Sequence, residues 1–413
     1  MNNTTGSCAL RQNGRHRVCV ALAFWWGLNL VTLAAGLLFA EPPGPAGKKD
    51  SGTPKPGPLE RVVVVDAAKV QRTIAGEVLV EAEDGGLLVL EQDGRLWPVE
   101  KAELIERQPT GQVFQPLTNA ALAKQLQAEF GAGVGVVNTK HYVICGTAGR
   151  AYAQWCGILF ERLFGAFHNY WKQRGMKLRE PEFPLVAIVF ASEREFAAYA
   201  AADAGPAAAA ARGYFKITAN RMVLYDLTSA GRGPADSLDE INRRLSAAPL
   251  NIATVIHEAT HQIAFNSGMH TRLADNPVWL TEGMAMFFET PDLSSSSGWK
   301  TVGAVNTPRL DQFAGYLTER PVDSLASLVR SDARFLDPDA MQNAYAEAWA
   351  LTHFLIKTRK TAYVDYLRQI SARRRLEFNT PEERLRDFRQ AFGDDLATLD
   401  AEFIKYAQRL LRR

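Results

Sequence analysis

The chain has 413 residues, of which 47% are hydrophobic and 22% are charged. Such a composition is typical of globular domains, and the length is enough for two or three of them. A fully disordered chain, a collagen-like chain and a small disulfide scaffold are therefore excluded. The net charge is +2, and the residues after position 40 comprise 44 basic and 45 acidic residues. A near-neutral body gives no electrostatic reason to expect a nucleic-acid partner.

The first 40 residues have the features of a targeting segment. Arg11, Arg15 and Arg17 precede an apolar run of 23 residues from Val18 to Ala40. This pattern predicts an export signal cleaved after Ala40, but the run is also long enough for an uncleaved membrane anchor. Both alternatives predict an exported protein in the periplasm, in the cell envelope or secreted, and the second adds a membrane tether. Residues 41–58 follow as a linker rich in proline and glycine.

Residues 59–107 predict a small all-β module. Four short apolar runs follow one another, and Asp84-Gly85-Gly86 and Asp93-Gly94 separate the later ones. Such turns are typical of hairpins, and the strand spacing favours a small β-barrel or a curled sheet. A module of this kind either binds a ligand or packs against the rest of the chain.

Residues 112–413 predict a second domain of the α+β class, because strands come first and helices dominate afterwards. The predicted helix from Ala151 to Gln173 carries an aromatic and apolar stripe at helical spacing, which is typical of a core-facing helix. Cys145 and Cys156 are the two cysteines of this part. An exported protein can join them in a disulfide, and two buried free thiols are the alternative.

The motif that carries chemistry is His257-Glu258-Ala259-Thr260-His261. Apolar residues at helical spacing predict a helix from Asn251 to Asn266, and residues four apart on a helix project from the same face. His257 and His261 can therefore bind one Zn²⁺ ion through their ring nitrogens. Glu258 adjoins His257 and can act as general base towards a water at the metal.

A catalytic zinc requires a third protein ligand and one open position. The candidate is Glu282, 21 positions after His261, on a second predicted helix that begins at Pro277. Its neighbours are apolar, and a carboxylate buried among them needs a cation as partner. His270 follows a turn after the first helix, and we expect a loop residue there instead of a ligand.

The two motifs together, with Trp279-Leu280-Thr281-Glu282-Gly283-Met284-Ala285 as the second, resemble the gluzincin metallopeptidases of the peptidase MA-like kind. The wider context resembles an uncharacterised bacterial branch known as a domain of unknown function, over about residues 137–413. The resemblance implies a zincin-like fold and one zinc ion per chain, bound by His257, His261 and Glu282, with Glu258 as the base. It also implies that the strand near Arg221 to Leu227 borders the cleft, where a peptide could pair with it.

Two features depart from the pattern of that family. The Gly-x-Met-Glu-Asn signature of its aminopeptidases is missing, which argues against a simple aminopeptidase. Position 286, where some members place an aspartate that orients a ligand histidine, is Met286. Asp275 and Glu289 are the two candidates for that orienting role.

Family members commonly stabilise the oxyanion with a Tyr or His from a downstream helix. Tyr345 is the first candidate here and His353 the second, both on a predicted helix from Met341 to Lys357. An aromatic stripe packed in the core is the alternative reading of these residues.

The sequence thus predicts an exported zinc metallopeptidase that hydrolyses peptide bonds of a peptide or protein substrate. One alternative keeps the fold without catalysis, as an envelope binding or scaffold protein. Another makes the β-module of residues 59–107 the main functional part, as a surface-binding domain. The oligomeric state and the cleavage specificity stay open.

Overall fold

The computed structural model describes residues 57–66, 69–131, 133–228, 233, 235–246, 249–290, 299 and 301–412. The predicted targeting segment, residues 1–40, lies outside these ranges, as does the linker up to residue 56. No helix within the described ranges is both long and apolar enough to span a membrane.

The N-terminal module is an open antiparallel sheet. Its strands are β1 (Pro58–Val65), β2 (Gln71–Glu81), β3 (Leu87–Glu91), β4 (Leu96–Val99) and β5 (Leu104–Val113). They pair in the order β4-β3-β2-β1-β5, so the outer strands β4 and β5 do not pair with each other. The predicted barrel is therefore wrong, and the strands extend beyond the predicted limit at residue 107. The rest of the chain covers one apolar face of this open sheet, so closure into a barrel is not required to bury it. Leu88, Leu90 and Leu96 share a buried cluster with Phe183 and Leu273.

A second five-stranded sheet organises the body of the protein. Its strands are β6 (Gly135–Asn138), β7 (Tyr142–Gly146), β8 (Leu185–Phe190), β9 (Gly213–Lys216) and β10 (Arg221–Tyr225). The order is β6-β7-β8-β10-β9, with β7, β8 and β10 parallel and the two outer strands antiparallel to their neighbours. The strand at Arg221 is therefore internal, and the expectation that a peptide could pair with it is wrong. That edge of the sheet is formed by β9.

Helices account for most of the remaining chain. They are α1 (Asn119–Phe130), α2 (Arg150–Lys172), α3 (Glu193–Ala204), α4 (Pro206–Ala209), α5 (Leu238–Ser246), α6 (Pro249–Asn266), α7 (Val278–Phe288), α8 (Thr307–Tyr316), α9 (Ser324–Arg330), α10 (Ala333–Leu336), α11 (Met341–Thr358), α12 (Lys360–Ser371), α13 (Pro381–Phe392) and α14 (Leu396–Leu411). The predicted α+β class is confirmed. The helix of the first motif begins at Pro249, two residues before the predicted Asn251, and the second begins at Val278, directly after Pro277.

Strand alternation divides the core of the body into two layers. Ile144 and Ala187 point into a cluster that includes the apolar stripe of α2 and the buried faces of α6 and α7. Val143 and Ile188 point to the opposite face, where α1 and α3 cover the sheet. The successive side chains of a strand alternate between faces, so each strand supplies both layers. The helices α6 and α7, which carry His257, His261 and Glu282, therefore lie on the same side of the sheet as α2.

The same alternation decides between the two cysteine alternatives. Cys145 lies on β7 and points into the layer of α1 and α3, whereas Cys156 lies on α2 in the other layer. The sheet separates the two sulfur atoms, and both thiols are free and buried.

Candidate metal centre

Helix α6 carries the two histidines of the first motif. Ile252, Ile256 and Ile263 are fully buried and hold this helix in the core of the body. His257 and His261 are 3% and 6% exposed, and their ring nitrogens Nε2 are 3.0 Å apart. The helical spacing of four residues thus brings both rings to one point, as the sequence predicts.

Helix α7 brings Glu282 to the same point. Every residue of this helix is buried, and its first amide, of Val278, donates a hydrogen bond to Asp332 Oδ1 at 3.0 Å. Gly283 allows α7 to approach α11 closely, because a Cβ atom there would lie 2.1 Å from Thr352 Oγ1. The close approach of α7 is therefore made to α11. Glu282 itself is 4% exposed.

Three donor atoms converge in this cluster, which has the geometry of a metal site. Glu282 Oε2 is 3.1 Å from His257 Nε2, and Glu282 Oε1 is 3.3 Å from His261 Nε2. In a tetrahedral zinc site with bonds of about 2.0–2.1 Å, neighbouring ligand atoms are separated by about 3.3 Å. Among the described residues, these three form a group of side chains that could hold a metal ion.

A fourth residue fixes the orientation of His257. Its Nδ1 atom lies 2.6 Å from Glu289 Oε1, and the other oxygen of Glu289 accepts a hydrogen bond from Asn306 Nδ2 at 2.9 Å. A proton on Nδ1 leaves the lone pair of Nε2 directed at Glu282 and His261, as metal binding requires. Of the two candidates for this role, Glu289 occupies it. Asp275 instead pairs with Arg373 and Arg384.

The buried charged groups of the cluster shift one another's pKa values. Burial alone would lower the pKa of His257, yet hydrogen bonds with Glu282 and Glu289 hold that pKa well above its usual value. Burial alone would raise the pKa of Glu282, yet the neighbouring histidines hold it far below its usual value. Glu258, Glu282 and Glu289 are three buried carboxylates. Burial alone would raise the pKa of Glu289, yet the hydrogen bond with His257 and the charges of His257 and Arg309 lower it.

The side chain of Glu258, on α6, lies near the edge strand β9 of the body sheet. It is 2% exposed. A Cβ atom added to Gly213, the first residue of β9, would be 3.7 Å from Glu258 Cγ. The end of the edge strand is therefore in contact range of the predicted base.

Tyr345 on α11 is close enough to the cluster for the charges of Glu282 and Glu258 to affect its pKa. Its side chain is 1% exposed, and its hydroxyl has no hydrogen-bond partner among the described residues. Burial raises its pKa well above the usual value, and the charges of Glu282 and Glu258 add to that effect. A buried hydroxyl without a partner costs free energy unless a ligand or water satisfies it. This hydroxyl is therefore available to a bound molecule.

The other two histidines considered from the sequence have different positions. His353 is hydrogen bonded on both ring nitrogens, to Gly303 O at 3.2 Å and to the Tyr406 hydroxyl at 2.9 Å. It therefore acts as a structural link between α11, α14 and the segment before α8. His270 is buried outside the three-residue cluster, and burial lowers its pKa to about 3. It follows the end of α6 and belongs to no helix or strand, so the expectation of a loop residue is confirmed, and its side chain is buried.

Sequence reasoning missed the short strand β9 and the role of Asn306. Four residues, Gly213 to Lys216, are too few to show a strand period, so only the pairing with β10 reveals the strand. Asn306 precedes Thr307-Pro308, a helix-start pattern, and its side chain does accept the amide proton of Arg309. That pattern gives the helix but not the contact with Glu289.

The comparisons with known proteins support a narrow similarity. The sequence model of a family described as "Protein of unknown function (DUF1570)" matches residues 251–377. This stretch covers α6 except for its first two residues, then α7 to α12, and it includes every residue of the candidate metal centre. No curated protein matches the chain.

Proposed function

We propose that the protein is a zinc-dependent metallopeptidase of the gluzincin type. The observation that carries the proposal is the convergence of His257 Nε2, His261 Nε2 and a Glu282 oxygen within hydrogen-bonding distance, with Glu258 next to them on α6. A purely structural zinc site has four protein ligands and no use for a buried carboxylate base. Three ligands with an adjacent glutamate fit a catalytic site.

His257, His261 and Glu282 would hold the ion, which supplies Lewis acidity and lowers the pKa of water when it is bound. Glu258 takes a proton from the attacking water and transfers it to the amine that leaves when the C–N bond breaks. The hydroxyl of Tyr345 donates a hydrogen bond to the carbonyl oxygen as negative charge develops there. The missing partner of this hydroxyl among the described residues supports that assignment.

A peptide is the substrate class that the edge of the body sheet favours. Strand β9 pairs with β10 on one side, and its other side forms the border of the sheet. An extended peptide can add to such an edge through main-chain hydrogen bonds. Because Gly213 lies near Glu258, this edge would place the peptide beside the base.

We also propose that the protein acts outside the cytoplasm, in the periplasm or cell envelope or as a secreted protein. The basis is the sequence of residues 1–40, with its arginines and its apolar run. The alternative function is a catalytically inactive binding or scaffold protein of the same fold.

Glu258→Gln tests the mechanism. We expect loss of hydrolysis of a fluorogenic peptide library, because the amide cannot accept a proton, with one zinc per chain still bound. Glu402→Gln, at an exposed position on α14, is the matched control and should keep full activity. Metal content of wild type and His261→Ala, measured side by side, tests the site itself. Full hydrolysis by Glu258→Gln would refute the mechanism, and a wild type that binds no zinc would favour the scaffold alternative.

A further inference from the structure

The β-module is joined to the body at the turn that follows the edge strand β9. Leu96 N, at the start of β4, donates a hydrogen bond to Thr218 O at 2.7 Å. Ile217 packs against the buried cluster that the module and body share. The module therefore contacts the segment between β9 and β10 through both its backbone and its apolar face.

Arg272 connects this turn to the module and to the metal helix. It lies in the segment after α6 and is 5% exposed. Its Nη1 atom donates hydrogen bonds to Gly94 O of the module at 2.7 Å and to Ile217 O at 3.3 Å. One guanidinium nitrogen thus bridges three parts of the chain: the module, the end of β9 and the segment after the metal helix.

Burial of the Arg272 guanidinium costs free energy, and its contacts must offset that cost. No ion pair involving its guanidinium is formed among the described residues, and it relies on backbone carbonyl groups. Burial, followed by the charge of the neighbouring Arg375, lowers its pKa to about 9. A cation held away from water without a carboxylate partner is destabilising unless its contacts offset the cost. The hydrogen bonds to Gly94 O and Ile217 O are the contacts that offset this cost.

Helix α6 holds the turn between β9 and β10 from its other side. Asn220 adopts a left-handed conformation with φ 55°, and its side-chain amide exchanges two hydrogen bonds with that of Asn266, at 2.9 and 2.7 Å. Gly94 is so close that a Cβ atom there would lie 3.2 Å from Asn220 Nδ2. The turn between β9 and β10 is thus held between α6 and the module.

We infer that Arg272 is a positioning residue. Together with the β-module, it holds the edge strand β9 in its place beside Glu258. The module thereby forms part of the substrate site of the body instead of being a separate binding domain. The metal ligands are held independently of this contact, by α6, α7 and the Glu289–Asn306 pair. Arg272 should therefore influence the edge strand and peptide binding while leaving the metal in place. Its effect on peptides rests on the proposed function, whereas its effect on β9 does not.

Hydrogen–deuterium exchange of the full, zinc-loaded chain tests the inference. Arg272→Met keeps the apolar stem but removes both hydrogen bonds, and we expect peptides covering residues 213–220 to exchange about tenfold faster or more. Peptides covering 252–263 should exchange as in wild type, and zinc content should stay at one per chain. Arg107→Gln, which breaks ion pairs with Glu60 and Glu81 inside the module, is the matched control and should leave residues 213–220 unchanged.

Arg272→Lys keeps the charge and a nitrogen donor, so it should fold even if the methionine variant does not. It should shift the same peptides in the same direction by a smaller factor. Unchanged exchange at 213–220 in both variants, or an equal rise throughout the body, would overturn the inference. If wild type hydrolyses peptides, Arg272→Met should raise KM about tenfold with kcat within a factor of two. A wild type without hydrolysis would refute the proposed function and leave the exchange result to decide the role of Arg272.

Discussion

Gly283→Ala probes how closely the helix of Glu282 must approach its neighbour. In an open helical position, replacing Gly by Ala stabilises a protein by about 0.5–1 kcal/mol. At Gly283 the new Cβ would lie 2.1 Å from Thr352 Oγ1 and 2.7 Å from Ala348 O on α11. The threonine hydroxyl can rotate away, but the backbone oxygen cannot, so the two helices must separate.

The expected size follows from these two opposing effects. Overpacking a well-packed core costs about 1–3 kcal/mol, which exceeds the gain in helix propensity. We expect Gly283→Ala to lower the free energy of unfolding by about 1–2 kcal/mol. Because Glu282 is the adjacent residue, separation of the helices should also displace this ligand and weaken metal binding.

Urea unfolding in the presence of a chelator measures the change in the free energy of unfolding without the contribution of bound metal. Gly165→Ala is the matched control, since it lies within α2 and a Cβ atom there would have no heavy atom within 4 Å. This control should become more stable by about 0.5–1 kcal/mol. If Gly283→Ala proved as stable as wild type or more so, the argument for a required close approach of α7 and α11 would be refuted.

Three further predictions address the centre and the module. Tyr345→Phe should reduce turnover without changing zinc content or lowering stability, since the hydroxyl has no partner among the described residues; unchanged turnover would remove it from the mechanism. Glu289→Gln should weaken zinc binding by about 10–100-fold in a chelator competition, because the negative charge behind His257 is lost; an unchanged affinity would contradict the orienting role. A chain starting at Gly111 should aggregate or lose cooperative unfolding, because it exposes Phe183 and Leu273; a stable, active truncation would show that the module is dispensable.

The candidate site was largely predictable from sequence because its chemistry depends on local geometry. Two histidines four residues apart must share a helix face, so their convergence needs no knowledge of the tertiary fold. The apolar stripe of α2 was predictable in the same way, and Trp155, Leu163 and Trp171 are all buried. Glu282 could be predicted as the third ligand because an acidic residue among apolar neighbours is rare.

The predictions that failed concern contacts between distant segments. The barrel was wrong because strand spacing does not reveal whether β4 meets β5 or the body covers the sheet. The choice between Asp275 and Glu289 stayed open since both follow α6 at a plausible distance in the chain. Only the packing shows that Asp275 lies among arginines while Glu289 reaches His257. Whether Cys145 and Cys156 form a disulfide likewise depended on which face of the sheet each one occupies.

Different residues support the candidate metal ligands and the proposed substrate strand. Glu289 and Asn306 stabilise His257 from the side of α7 and α8, and neither contacts β9 through any hydrogen bond described here. Arg272 and the β-module hold the turn after β9 and make no hydrogen bond to the three ligands among the described residues. Perturbations at sites without shared partners usually add in free energy. Loss of the charge at Glu289 should therefore change metal affinity by the same factor whether or not Arg272 is intact, and a strong coupling between the two would mean that β9 and the metal centre move as one unit.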